Sequence, residues 1–279
     1  MTILDDRILL DGPGGSAQVL PFGAQVLEWA PSGESPVLWT SPSALLDGSV
    51  PVRGGIPVCL PWFGRGRSRD LTPSHGFART SVWTPLGLGS GHEPQASFLL
   101  EHDPADDPGT FPHSLRALLR VAITDDLVVS LTITNTGDHS YSFEEALHTY
   151  FAVGDVKDVT LDGLEGADYL DKVRGGQRRS QVGEVTFVGE TDRIYRSDST
   201  VVLHDPRRRR DITIDKDGSA DTVVWNPWVA GAAALPDVGA NDWQDFVCVE
   251  AANVGEDAVT LEPGEEHSLV LVVHVDPMA

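Results

Sequence analysis

The feature that most constrains this chain is a recurrence of short apolar runs, many with a period of two, separated by turn-forming residues. "LVVSLTIT" (127–134) lies between "TDD" and "NTGD". Comparable runs are "AQVLPFGAQVLEW" (17–29), "SLRALLRVAIT" (114–124), "GEVTFV" (183–188) and "TVVLHD" (200–205). The series continues with "DITID" (211–215), "TVVWN" (222–226), "DFVCVEAANV" (245–254) and "HSLVLVVHV" (267–275). No amphipathic helical pattern of twelve or more residues interrupts it. "LRALLRVA" is built from good helix formers, yet it is read as a strand paired with 127–134 across "TDD". Many short strands with Gly/Pro-rich turns predict an all-β chain folded as a large antiparallel sandwich or barrel. No Ser/Pro-rich linker and no repeat divides residues 1–279, so a single domain is expected.

A chain of 279 residues can bury a substantial core without disulfide staples. Cys59 and Cys248 each lie in an apolar run and form no CxxC pattern, which predicts buried packing in a reduced, cytoplasmic protein. The start, "MTILDDRILLDGPGG", carries acids where a signal peptide needs a basic segment and a long apolar stretch. No apolar run approaches the ~20 residues of a membrane span. The net charge of −22 argues against nucleic acid and anionic membrane as partners. Against that background, residues 53–79 hold five arginines (Arg53, Arg65, Arg67, Arg69 and Arg79) and one acid, Asp70. A window of +4 in so acidic a chain predicts an anionic ligand there, or arginines that pair with surface acids.

Three segments place polar groups in apolar surroundings. In "FEEALHTYFAV" (143–153), strand alternation puts Glu144, Ala146, His148 and Tyr150 on one face and Phe143, Glu145, Leu147, Thr149 and Phe151 on the other. The first set is either a satisfied polar network or the wall of a binding groove; Glu145 is expected to be structural. In "DFVCVEAANV", Glu250 stands mid-strand among apolar residues, either as a base whose pKa burial raises or in a salt bridge to an arginine. The third segment, "RGGIPVCLPWFGRG" (53–66) leading into "SHGFART" (74–80), has a rigid Gly/Pro backbone beside Arg53, Arg65, Arg79 and His75. Arginine suits phosphate because its planar fork donates two parallel hydrogen bonds. "RRRR" (207–210) reads as a solvated hairpin turn. HExxH, GxSxG and P-loop patterns are missing, as is the HxH pair of a cupin-like metal site.

Taken in order, "RGGIPVCLPWFG", "SHGFAR", "EEALHTYF", "TDRIY" and "DFVCVEAANV" resemble the glucose-6-phosphate 1-epimerases, hexose-6-phosphate mutarotases of the galactose-mutarotase-like superfamily. The resemblance runs from about residue 20 to 275. It implies one large antiparallel β-sandwich, the galactose-mutarotase-like supersandwich. It implies His148 and Glu250 as the catalytic acid/base pair, and Arg53, His75, Arg79 and Asp192 as substrate-binding residues. Ser74 is implied as a further substrate-binding position, although some relatives carry Gln there and the shorter serine side chain gives up reach toward sugar or phosphate.

The chemistry so implied is anomer interconversion of a small-molecule hexose 6-phosphate. Glu250 removes the proton of the C1 hydroxyl and His148 protonates the ring oxygen, with the roles reversed on closure. No cofactor and no metal is required, and a monomer is expected. Three alternatives remain open at this level: a mutarotase for a different or unphosphorylated aldose, a non-catalytic carbohydrate-binding module, and a glycoside hydrolase using Glu144 and Glu250.

Overall fold

The computed structural model describes residues 3–67, 70–89, 93–106 and 111–278, and strands dominate them. The ambiguous segment settles the principle. In the strand Leu115–Ile123, Leu115, Ala117, Leu119, Val121 and Ile123 are all buried, while Arg116 and Arg120 face solvent. A helix would spread those five side chains around its axis, whereas a strand delivers them to one face. Truncating one of them, such as Leu119, to alanine costs about 2–5 kcal/mol. The segment pairs with Leu127–Asn135 across a tight turn, Ile123 opposite Leu127.

From that hairpin a nine-stranded sheet extends among the described residues. On one side come Gln95–His102 and the edge strand Thr84–Gly89; on the other come Glu266–Pro277, Arg210–Asp217, Val201–Asp205, Thr160–Asp162 and Val185–Thr186. An eight-stranded sheet stacks on it, with Phe246–Asn253 packed against Glu266–Pro277. Its order is Gln177–Ser180, Asp168–Asp171, Thr191–Arg196, Asp221–Asn226, Phe246–Asn253, Glu145–Leu147 and Val58–Cys59, with Tyr150–Ala152 also paired to Phe246–Asn253. The two sheets enclose a core that includes Phe98, Phe151, Leu131 and Val249. The architecture is the antiparallel β-sandwich expected from the alternation. Among the described residues no helix is long and apolar enough to cross a membrane.

Three segments depart from the sequence reading. The run 17–29 is two strands, Gly15–Leu20 and Gln25–Pro31, because "PFGA" folds back with Gly23 at φ +73°. The run 143–153 breaks into Tyr141–Phe143, Glu145–Leu147 and Tyr150–Ala152. Its N–H groups at Glu144, His148 and Tyr150 donate to the carbonyls of Pro61, Pro57 and Gly55 at 3.0, 3.0 and 2.9 Å. Two of those acceptors are prolines, which have no N–H to return, so a regular ladder cannot form there. The "RRRR" turn is solvated at Arg207, Arg208 and Arg209, but Arg210 is buried. Its guanidinium donates to the carbonyl of Ala152 at 2.6 Å and to those of Ser35 and Pro36, tying this hairpin to the opposite sheet.

Candidate active site

The ladder of the eight-stranded sheet aligns the polar residues. Leu147 lies opposite Ala251 and Tyr150 opposite Cys248, so the register is unchanged across the interruption and His148 comes opposite Glu250. Glu250 in turn faces Val223, and Val223 faces Ile194. The next row along the same face holds Tyr150, Cys248, Trp225 and Asp192. Opposed residues of an antiparallel ladder project to one side, so His148, Glu250, Tyr150, Trp225 and Asp192 line one wall. The Lys172 backbone N–H donates to the Asp192 carbonyl at 2.9 Å, adding Lys172 to that wall.

The segment 53–79 forms the second wall. Its backbone is dictated by glycine: Gly55 has φ +62° and a Cβ there would lie 2.0 Å from the Val26 carbonyl oxygen. Gly76 has φ +74° and a Cβ would lie 1.9 Å from the Leu60 oxygen. His75, next to Gly76 in the chain and without glycine's freedom, also takes the left-handed conformation at φ +64°. A non-glycine residue held there costs of order 1–3 kcal/mol and persists where its surroundings over-determine it. Here the His75 N–H donates to the Gly64 carbonyl at 2.5 Å, and its ring meets Phe63 at 4.7 Å and His148 at 5.5 Å.

Glu250 and His148 are 1% and 7% exposed, and His148 Nδ1 lies 3.5 Å from Glu250 Oε1. Among the described residues neither Glu250 oxygen has a hydrogen-bond partner, and neither does His148 Nδ1. Burial pushes the Glu250 carboxyl well above the usual carboxylate range; Asp192 adds to this, and Lys172 and Arg79 oppose it. Burial, with the Arg79 and Arg53 cations, pushes His148 well below the usual imidazole range. Both shifts favour neutral groups, so the free pair holds one proton, preferentially on the carboxyl. The His148 ring is fixed by stacking on Tyr150, with centroids 4.9 Å apart and planes 10° apart, and by the edge of Trp225.

His75 is likewise held neutral, first by burial and then by the Arg79 and His148 charges. Its Nδ1 lies 3.3 Å from Cys59 Sγ, and burial keeps that thiol protonated. Either partner can donate in that contact, because the thiol carries both a proton and sulfur lone pairs.

The five arginines separate. Arg53 donates to Asp237 Oδ2 at 3.2 Å and to the Tyr150 hydroxyl at 2.9 Å. Arg79 donates to the Ser74 carbonyl at 2.6 Å, while its buried Nε has no partner among the described residues. Arg65 and Arg67 are exposed, and Arg69 lies outside the described residues. Ser74 is exposed, and its backbone carbonyl holds Arg79. Asp192 is half-buried and pairs with Lys172 Nζ at 3.0 Å.

Neither Glu144 nor Glu145 joins Glu250. Glu144 accepts the backbone N–H of Phe63 at 3.0 Å with one oxygen and that of Gly255 at 2.7 Å with the other. Glu145 is fully buried and meets Asn253 at 2.9 Å and His267 at 3.1 Å. Sequence reasoning missed Lys172 and Asp237, since each lies in a turn with no motif and meets its partner only through the fold. Among the described residues no group of three or more His, Cys, Asp or Glu side chains is gathered as a metal site. What the site offers is a carboxyl and an imidazole side by side, with the cations Arg53, Arg79 and Lys172 and several aromatic rings around them.

The family model described as Aldose 1-epimerase matches residues 6–274. A protein of Cenchrus ciliaris named "Putative glucose-6-phosphate 1-epimerase" is 35% identical over 275 residues, covering 94% of this chain and 82% of that one. An Escherichia coli (strain K12) protein of the same printed name is 34% identical over 256 residues, covering 90% and 84%. Among solved structures, one titled as a "putative mutarotase" from Salmonella typhimurium superposes with TM-score 0.89 at 30% identity, covering 98% of this chain and 92% of that one.

Proposed function

The chain belongs to the aldose 1-epimerase family, and on that premise we propose that it interconverts the α and β anomers of a hexose 6-phosphate, glucose 6-phosphate first among them. The reaction is acid/base opening and closure of the sugar ring. With substrate bound, the pair's single proton passes from Glu250 to His148; the Glu250 carboxylate then takes the proton of the C1 hydroxyl while His148 gives its own to the ring oxygen, and the C1–O5 bond breaks to leave the open-chain aldehyde. The C1–C2 bond turns. The C5 hydroxyl then attacks the other face of the carbonyl, His148 recovering its proton and Glu250 returning one to O1. Substrate and product have the same composition and the pair ends as it began.

The observation that carries this reading is the buried, unpartnered Glu250 carboxyl 3.5 Å from His148, an acid/base pair close enough to share one proton. For the phosphate, Arg53 and Arg79 are the candidate grips, and the free Nε of Arg79 is a donor already in place. Asp192 and His75 are the candidate partners of sugar hydroxyls. The carboxylate pair of a retaining or inverting hydrolase finds less support, because both oxygens of Glu144 are already occupied by backbone N–H groups.

The test is exchange spectroscopy on equilibrated glucose 6-phosphate and on free glucose, with His148→Ala and Glu250→Gln beside wild type. The expected result is accelerated α/β exchange of the phosphorylated sugar by wild type and its loss in both variants. Wild type without effect on either sugar overturns the activity. Equal acceleration of both sugars overturns the phosphate preference.

A further inference from the structure

We propose that Lys172 is a positioning residue for this reaction: its ammonium holds Asp192 at the rim of the sugar site and sets the pH range over which the Glu250–His148 pair carries one proton. The proposal rests on the acid/base reading above. Lys172 opens the turn that follows the strand Asp168–Asp171, and two bonds lock it to Asp192. Its N–H donates to the Asp192 carbonyl at 2.9 Å, and its Nζ lies 3.0 Å from Asp192 Oδ2. The ammonium also lies 5.5 Å from the centroid of the Phe63 ring, so it spans the site from the sheet wall to the loop wall.

The other two cations stand on the loop wall, where Arg53 also donates to Asp237 and Tyr150 and Arg79 to the Ser74 carbonyl. Among the described residues Lys172 pairs with one carboxylate, and its side chain is 38% exposed, so its ammonium also reaches solvent. Facing the pair are Asp192 from its own strand, Cys248 from the Glu250 strand and Tyr150 beyond His148. Arg53, Cys59, His75 and Arg79 face it from the loop wall. The Lys172 cation favours the ionised Glu250 carboxylate and Asp192 opposes it, while Lys172 acts on His148 in the same sense as on Glu250. A nearby cation favours the deprotonated form of both groups.

Removing that cation therefore moves both titrations upward together, whichever group holds the shared proton. The test is the pH dependence of kcat/KM for anomer exchange, with the His148 imidazole titration followed in parallel by NMR in the free protein. Lys172→Met is expected to shift both limbs of the profile, and the His148 titration, to higher pH by a few tenths to about one unit. That is the scale of one partly solvated charge several ångströms away. Lys172→Arg restores the wild-type positions, and Asp192→Asn shifts them the opposite way. A Lys172→Met enzyme that is slower but has unmoved limbs and an unmoved titration overturns the proposal. Should wild type show no exchange, the functional reading falls, while the NMR titration still decides the influence of Lys172.

Discussion

Glu250→Gln should make the protein less active and more stable, and the two effects have one cause. The glutamine keeps the shape of the side chain and removes its charge and its proton affinity. Loss of a positioned acid/base group costs about 10²–10⁴ in rate, equivalent to about 3–5 kcal/mol of barrier. The stability change follows from burial: the carboxyl is 1% exposed, neither oxygen has a partner among the described residues, and its folded-state pKa lies well above its ordinary value. A carboxyl whose folded pKa is raised binds its proton more tightly in the native state. Its favourable contribution is then fully present below the unfolded value of about 4.3 and is lost as pH rises toward the folded one. Within that window wild type loses about 1.4 kcal/mol per pH unit relative to the glutamine variant, or roughly 3 °C of Tm. The measurement is thermal unfolding of both proteins across that window, with exchange spectroscopy at each pH. A Tm difference that stays flat with pH, or a variant within tenfold of wild-type exchange, refutes the reasoning.

Two further outcomes follow from groups away from the acid/base pair. Asp221 is 2% exposed, accepts the Val254 N–H at 3.0 Å, and burial raises its carboxyl to about 7. By the same sign, wild type should lose stability relative to Asp221→Asn from about pH 4 up to about pH 7 and run parallel above it, as read from urea unfolding. Glu144→Ala strips the Phe63 and Gly255 N–H groups of their acceptor, at about 1–3 kcal/mol for each donor left unsatisfied. Chemical denaturation should show that loss, and the KM for sugar phosphate should rise as the loop bearing His75 loosens; unchanged values for both rule out the clamp.

Alternation carried most of the fold. It assigned Leu115–Ile123 to a strand despite its helix-forming composition, because burial follows position rather than propensity. It also put His148 and Glu250 on the faces that the ladder later opposes. It failed where bonding is not local. The stretch 143–153 is broken by one-way hydrogen bonds to Pro57 and Pro61, and no reading of that stretch alone contains those prolines. Arg210 looked like the end of a solvated turn, yet its acceptors are 58 or more residues distant. Lys172 was invisible for the same reason: only the pairing of its turn with Thr191–Arg196 brings its ammonium to Asp192.

The unbroken register between Leu147–Tyr150 and Cys248–Ala251 has a consequence for how such a site turns over. Two residues opposed across a central ladder have no hinge between them, so in the proposed reaction the acid and the base keep their places while the opened sugar swings its aldehyde past them. The moving part of the machine is its cargo. A sugar phosphate analogue whose ring cannot open would occupy the same site without turnover.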